Sequence, residues 1–278
     1  SQGRLEEARK EIDEAVRLAS TLEDKPALAQ ALEARSQVLR QQSEIEQARI
    51  DIEQAFGLIE AVRPNAPDFR SRAALLATKW RVYEQRIELA MKHPASHRSA
   101  PYAGLQAAEQ ARARALVDHL LDVGTEQTTT GAVLSPEEIQ RRVLTQDTAL
   151  AQFFLGTRES YLWIVTVGGI QSYELADKAR IDLLAGKLIE EIAGRASDNH
   201  YPQKAQRVAE AAAEMVSALK LRPALSQLKA RRLLIVPDGR LYGVPFSMLP
   251  LAKESEETLL DRFEIVYAPS ATALAAQR

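Results

Sequence analysis

The sequence contains no cysteine, which removes disulfides, thiolate metal sites and any cysteine nucleophile carried by these residues themselves. It also lacks a charge excess: 36 basic and 38 acidic residues are well mixed and leave a net charge of −2, so no electrostatic footprint for nucleic acid or an acidic membrane is present. No apolar run approaches the roughly 18–20 residues that span a bilayer. The first residues, Ser1-Gln2-Gly3-Arg4, lack the charged-then-apolar build of a signal peptide, and the expected location is cytoplasmic. Glycine is scarce in the first half, where Gly57 and Gly104 are the only two between residues 4 and 122. Long, uninterrupted helices are the consequence.

What that half does contain is Ala, Glu, Arg, Gln and Leu, with apolar residues at helical spacing. Leu5, Ala8, Ile12, Ala15, Ala19 and Leu22 step by three or four and line one face, leaving Glu6, Arg9, Lys10 and Arg17 outside. The pattern returns 40 residues later as Ile45, Ala48, Ile52, Ala55 and Leu58, a repeat whose partner helix occupies residues 26–42, with Asp24 as N-cap and Pro26 in the first turn. A third helix pair is expected over residues 70–91 and 101–121. Residues 124–131, with Thr128-Thr129-Thr130, have neither periodicity nor core residues and read as a linker in which mobility is expected.

The grammar then changes. Ser135-Pro136-Glu137-Glu138 is a capping box opening a short helix to about residue 144. Residues 148–155, 160–167 and 170–175 read as a strand–turn–strand–turn–strand unit, followed by helices over 177–193 and 202–221 and a short one from Pro223 to about residue 229. Further strands are expected at 232–236, apolar enough for burial on both faces, and at 263–267. Between them, Pro237-Asp238-Gly239 reads as a tight turn leading into an extended, proline-stiffened segment.

The run from Leu233 through Ile235, Val236, Pro237-Asp238-Gly239-Arg240 and Tyr242 to Phe246 resembles the CHAT family, caspase-like domains found with tetratricopeptide repeats. Ala111-Arg112-Ala113-Arg114-Ala115-Leu116, Thr148-Ala149-Leu150 and Tyr267-Ala268-Pro269-Ser270 agree in order and spacing. The helical half resembles a tetratricopeptide array, with a small residue at the tight helix contact and Pro64 after a helix, although its period exceeds the usual ~34. The fold class expected is therefore α + α/β: tetratricopeptide-like repeats over residues 1–123, a linker over 124–134, and an incomplete αβα caspase-like domain over 135–278.

The resemblance implies a cysteine endopeptidase in which a histidine, in a His-Gly context, activates a cysteine thiol. In the family both follow the Pro269-Ser270 motif, so the sequence is expected to stop at Arg278 before either, and no catalytic residue is assigned here. A protein partner would bind the repeats, and a peptide or protein would be the substrate of the full-length form; the alternative is a non-catalytic interaction scaffold. Neither cofactor nor metal is expected. His93 and His97 are four apart, but Pro94 disfavours the helix that would pair them, and neither His119 nor His200 has a His-Gly context. Ser247 lacks a Gly-x-Ser-x-Gly elbow, and no Gly-Lys-Ser/Thr follows the glycines, which excludes a phosphate loop.

Two groups of candidates follow. Asp238, Arg240 and Tyr242 sit beyond a core strand, where open α/β sheets place their sites, although an Asp before Gly also serves a turn by bonding its own backbone. Trp80, Tyr83 and Tyr102 are candidates for a partner groove, with packing between helices as the other role open to them. The α/β half is also expected to expose a strand edge, leaving it paired with a missing half or prone to self-association.

Overall fold

The computed structural model describes residues 2–61, 69–94, 99–122, 133–194, 201–251 and 257–276, and the linker assignment at 124–131 lies outside them. The chain divides into two compact units, Ser1–Glu126 and Gln127–Arg278.

In the first unit the described helices are α1 (Gln2–Thr21), α2 (Lys25–Gln41), α3 (Ile45–Ala61), α4 (Phe69–Lys92) and α5 (Ala100–Asp122). Each packs against the next, and α4 also reaches α2. The expected third pair is present as α4 packed on α5, while α3 packs on α2 and, less extensively, on α4.

The two tight turns of the array are built alike. Glu23 and Ser43 take left-handed backbone conformations, φ 54° and 65°, and the amides of Asp24 and Glu44 reach back to the carbonyls of Ala19 and Leu39 at 3.0 and 2.9 Å. Each is the 6→1 closure of a Schellman-type helix end, here made without glycine. Asp24 caps α2 by accepting from the Ala27 amide at 3.0 Å, with Pro26 in the first turn as the sequence suggests. The 40-residue repeat has unequal burial. Ala48, Ile52 and Ala55 of α3 are buried, whereas α1, which packs chiefly on α2, leaves Ala15, Leu18 and Leu22 exposed.

Three buried acids cross-link the array, matched by arginines from neighbouring helices. Arg35 holds the buried Asp51 through Nε and Nη2 at 2.6 and 2.9 Å, Arg40 meets Glu88 at 2.6 Å, and Arg81 meets Glu33 at 3.1 Å. Such pairs fix register rather than add much net stability, since removing one partner strands a charge.

The second unit is a five-stranded sheet of order β3-β2-β1-β4-β5. Its strands are β1 (Thr148–Leu155), β2 (Ser160–Thr166), β3 (Gly169–Glu174), β4 (Arg232–Val236) and β5 (Glu264–Tyr267). β1, β2 and β3 form an antiparallel meander, while β4 pairs in parallel with β1 and β5 with β4. The crossover from the meander to β4 runs through α7 (Lys178–Ala193), α8 (Tyr201–Ala218) and α9 (Leu221–Leu225). The period-2 pattern fixes the faces. Ala151, Phe153, Leu155, Leu162, Ile164, Leu233 and Ile235 join Ile181, Leu184, Leu188, Met215 and Leu225 in one core, and the alternate residues Leu150, Phe154, Trp163, Leu234 and Val236 are buried as well. Burial on both sides is why these strands read as continuous apolar runs.

Before the sheet, α6 (Pro136–Arg142) starts on the expected capping box: the Glu138 amide donates to Ser135 Oγ at 3.2 Å and the Ser135 amide to Glu138 Oε2 at 2.8 Å. After β4 the structure departs from expectation. The segment expected to be extended forms two 3₁₀ turns, Gly239–Gly243 and Phe246–Met248, because Leu241 and Val244, three residues apart, both turn inward to the core. Two short helices that the sequence did not suggest, α10 (Leu259–Arg262) and α11 (Ala271–Ala276), flank β5. β5 is an edge strand, with Glu264 and Tyr267 exposed. Among the described residues no helix is long and apolar enough to cross a membrane.

Candidate functional site

The parallel strands β1, β4 and β5 end on the same side, and the sequence after β4 turns sharply there. Gly239 has φ 51°, a conformation glycine tolerates and side chains resist. Asp238 makes the turn possible and ties it to the sheet: Oδ1 accepts from the Gly239 amide at 3.0 Å and Oδ2 from the Leu155 amide, at the end of β1, at 2.7 Å. A carboxylate taking two amides is a strong clamp, since bonds to a charged acceptor outweigh neutral ones. The backbone role left open for Asp238 is therefore the one its geometry displays.

The helix α7 lies against this turn. Lys178 and Asp182 pair at 3.1 Å on its first turns, and a Cβ at Gly239 would stand 3.1 Å from Lys178 Nζ. One helical turn further, a methyl group at Gly186 would stand 2.9 Å from Arg240 Nη1, so that glycine makes room for the Arg240 guanidinium over the helix. Arg240 and Tyr242 are exposed. Behind them Phe246 is fully buried, its ring tilted against Phe153 at 5.3 Å and near Tyr267 at 6.3 Å. The Phe246 amide donates to the Tyr267 hydroxyl at 3.1 Å. Burial pushes the Tyr267 phenol above its ordinary value, partly offset by that amide.

The Tyr267-Ala268-Pro269-Ser270 motif finishes the same edge. The Ala268 amide extends the β4 ladder to Ile235 O at 3.0 Å, and the buried Ser270 caps α11 by accepting from the Ala273 amide at 2.9 Å. These motif residues thus build a frame at the carboxyl ends of three strands, with Arg240 and Tyr242 presented to solvent. Sequence reasoning located Asp238, Arg240 and Tyr242 and named Tyr267 only as part of a motif, but missed Lys178 and Asp182. The i, i+4 spacing of Lys178 and Asp182 was the available signal for that pair.

The aromatic candidates of the helical unit do not converge in one place among the described contacts. Tyr83 is buried, its ring edge-on to Phe56 at 5.7 Å and its hydroxyl donating to Glu60 at 2.6 Å, so it packs α4 on α3. The Arg86 guanidinium covers the other ring of this contact, 3.8 Å from the Phe56 centroid. Trp80 is exposed and Tyr102 half-buried. His93 is an exposed residue beyond α4, His97 and His200 lie outside the described residues, and the His119 side chain is likewise outside them. Among the described residues no cluster of His, Asp or Glu is arranged to hold a metal ion.

No curated protein matches the chain. The family model of the CHAT domain matches residues 206–278, a stretch from α8 to the end that contains β4, the Asp238 turn, Phe246, β5 and the Ser270 cap, and this match supports the CHAT resemblance.

Proposed function

We propose that the second unit is the framework part of a caspase-like cysteine peptidase domain, and that the first is a tetratricopeptide-like array through which a protein partner controls it. The observation that carries this reading is the coincidence of the family match with the clamped edge: residues 206–278 contain β4, the Asp238 turn and β5, which meet α7 and the end of β1 there. Ligand sites of open α/β sheets lie at that edge. Arg240 and Tyr242 would line the substrate cleft, and the exposed Trp80 with Tyr102 would contribute to a partner surface.

The chemistry itself would come from elsewhere. The 278 residues hold no cysteine, so on this reading the thiol attacking the peptide carbonyl would come from sequence outside them, as would the histidine that the family resemblance places after the Pro269-Ser270 motif. What these residues supply is a rigid strand edge, and rigidity of supporting groups is what keeps a reacting pair aligned. The reading calls for neither cofactor nor metal. The second reading is a scaffold that docks proteins without cleaving them.

Deleting residues 1–122 from the complete gene product separates the regulated peptidase from its alternatives. The proposal expects activity to lose its dependence on the partner. Unchanged activity together with unchanged partner dependence would sink the regulatory role, and absence of any peptidase activity before and after deletion would leave the scaffold.

A further inference from the structure

The 40-residue repeat makes α3 a template for α1, because the two helices carry matching sides. Toward the helix that follows, Arg9, Asp13 and Val16 of α1 correspond to Arg49, Glu53 and Phe56 of α3. Both sets are engaged there. Arg9 donates to Gln42 at 3.0 Å and Asp13 accepts from Arg35 at 3.1 Å, while Arg49 donates to the His93 carbonyl and Glu53 accepts from Arg86 at 2.8 Å. The other side is Ala8, Glu11 and Ala15 in α1, and Ala48, Asp51 and Ala55 in α3.

On that side the two helices differ. In α3 all three residues are buried, because α2, the helix before it, lies on them: Ser36 Oγ donates to the Ala48 carbonyl at 2.9 Å, and Arg35 grips Asp51 through two nitrogens. In α1 Glu11 and Ala15 are exposed. Leu18 and, just past the helix, Leu22 continue the stripe and are 45% and 75% exposed. Spaced by three and four, these residues stand one above another on a single helical face. Alanines at two of the positions let another backbone come close, and the leucines supply apolar area to bury. The acid sets the charge of whatever covers them. Asp51 shows the complement such an acid takes, an arginine whose planar fork engages both carboxylate oxygens.

We infer that this side of α1 docks an amphipathic helix of a partner protein, one that presents to α1 what α2 presents to α3. Its determinants are an arginine for Glu11, a small residue beside Ala8 and an apolar stripe for Ala15, Leu18 and Leu22. The assignment rests on the repeat within the first unit and holds whether or not the second unit belongs to a peptidase.

The probe is α2 itself: a fluorescent peptide of residues 24–43 with a helix-stabilising link between positions 30 and 34, since free helices of this length are marginal in water. With the 278-residue chain, saturable binding is expected, with shifts in the methyl resonances of Leu18 and Leu22. Glu11→Lys should weaken binding at least tenfold, and Arg35→Glu in the peptide should restore it. Leu18→Arg should abolish binding. Glu6→Lys makes the same charge change on the side facing Gln42 and should leave affinity unchanged. Glu11 and Leu18 are exposed, so an unaltered melting temperature is expected for their variants; if Leu18→Arg does not fold, Leu22→Arg gives the same comparison. The complete gene product should bind the peptide as the 278-residue chain does. Absence of saturable binding, or equal losses with Glu11→Lys and Glu6→Lys, would overturn the assignment. Binding by the 278-residue chain but not by the complete gene product would show the face filled by the protein's own sequence. Self-association that Leu18→Arg abolishes would give it to a second copy. Either of these results also overturns the assignment to a partner.

Discussion

Asp238 shows how a residue can occupy a functional position while serving the backbone. Its two oxygens satisfy the amides of Leu155 and Gly239, and Leu155 is itself buried. Replacing it with alanine leaves a buried N–H without an acceptor, a loss of about 1–3 kcal/mol. Asp238→Ala should therefore destabilise the second unit by that amount in urea denaturation and speed hydrogen exchange at the Leu155 amide, with Asp238→Asn intermediate; an unchanged exchange rate at Leu155 would contradict the clamp. Tyr267 carries the other residue-level prediction. Its phenol titrates above the ordinary tyrosine value because burial disfavours the phenolate. A group with a raised folded value contributes stability that is complete below its unfolded value and is lost as pH rises through the folded one. The wild type should accordingly lose stability in the alkaline range faster than Tyr267→Phe, and parallel profiles for the two would show that Tyr267 does not contribute.

At the scale of elements, the strands and caps were legible because their signals are local. The apolar and β-branched runs at 148–155 and 232–236 are strands with those bounds, and Ser135-Pro136-Glu137-Glu138 is the capping box it spells. What the sequence concealed was pairing. The hairpin order that places β1 between β2 and β4, and the reach of α4 to α2, depend on contacts between distant segments that no local period encodes. The 3₁₀ turns after β4 were hidden for a related reason: proline and glycine suggest an extended path, but burial of Leu241, Val244 and Phe246 overrides that preference. The array offers the strongest element-level test. Asp51 is almost fully buried and held by two bonds from Arg35. Arg35→Ala should cost about 3–5 kcal/mol, since it strands a buried carboxylate, and Arg35→Ala with Asp51→Ala should recover part of that loss. A single-variant loss below about 1 kcal/mol, in the range of a surface pair, would show that the bridge does not organise α2 and α3.

For the whole molecule, the candidate site was half legible. The turn and its flanking Arg240 and Tyr242 stand in one contiguous motif, whereas Lys178, Asp182 and Tyr267 arrive from α7 and β5 through the fold. Tyr83 takes the packing role that the sequence reading left open for it, its ring and hydroxyl engaged by Phe56 and Glu60. The central claim is that these residues frame a cysteine peptidase whose thiol lies outside them. The most direct measurement treats the complete gene product containing these residues with a thiol-directed peptidyl electrophile, with and without cell extract to supply the partner, and maps the label by mass spectrometry. The account predicts a single modified cysteine outside residues 1–278, with labelling reduced by Asp238→Ala. Absence of any labelled cysteine under both conditions would contradict it and leave protein docking as the function.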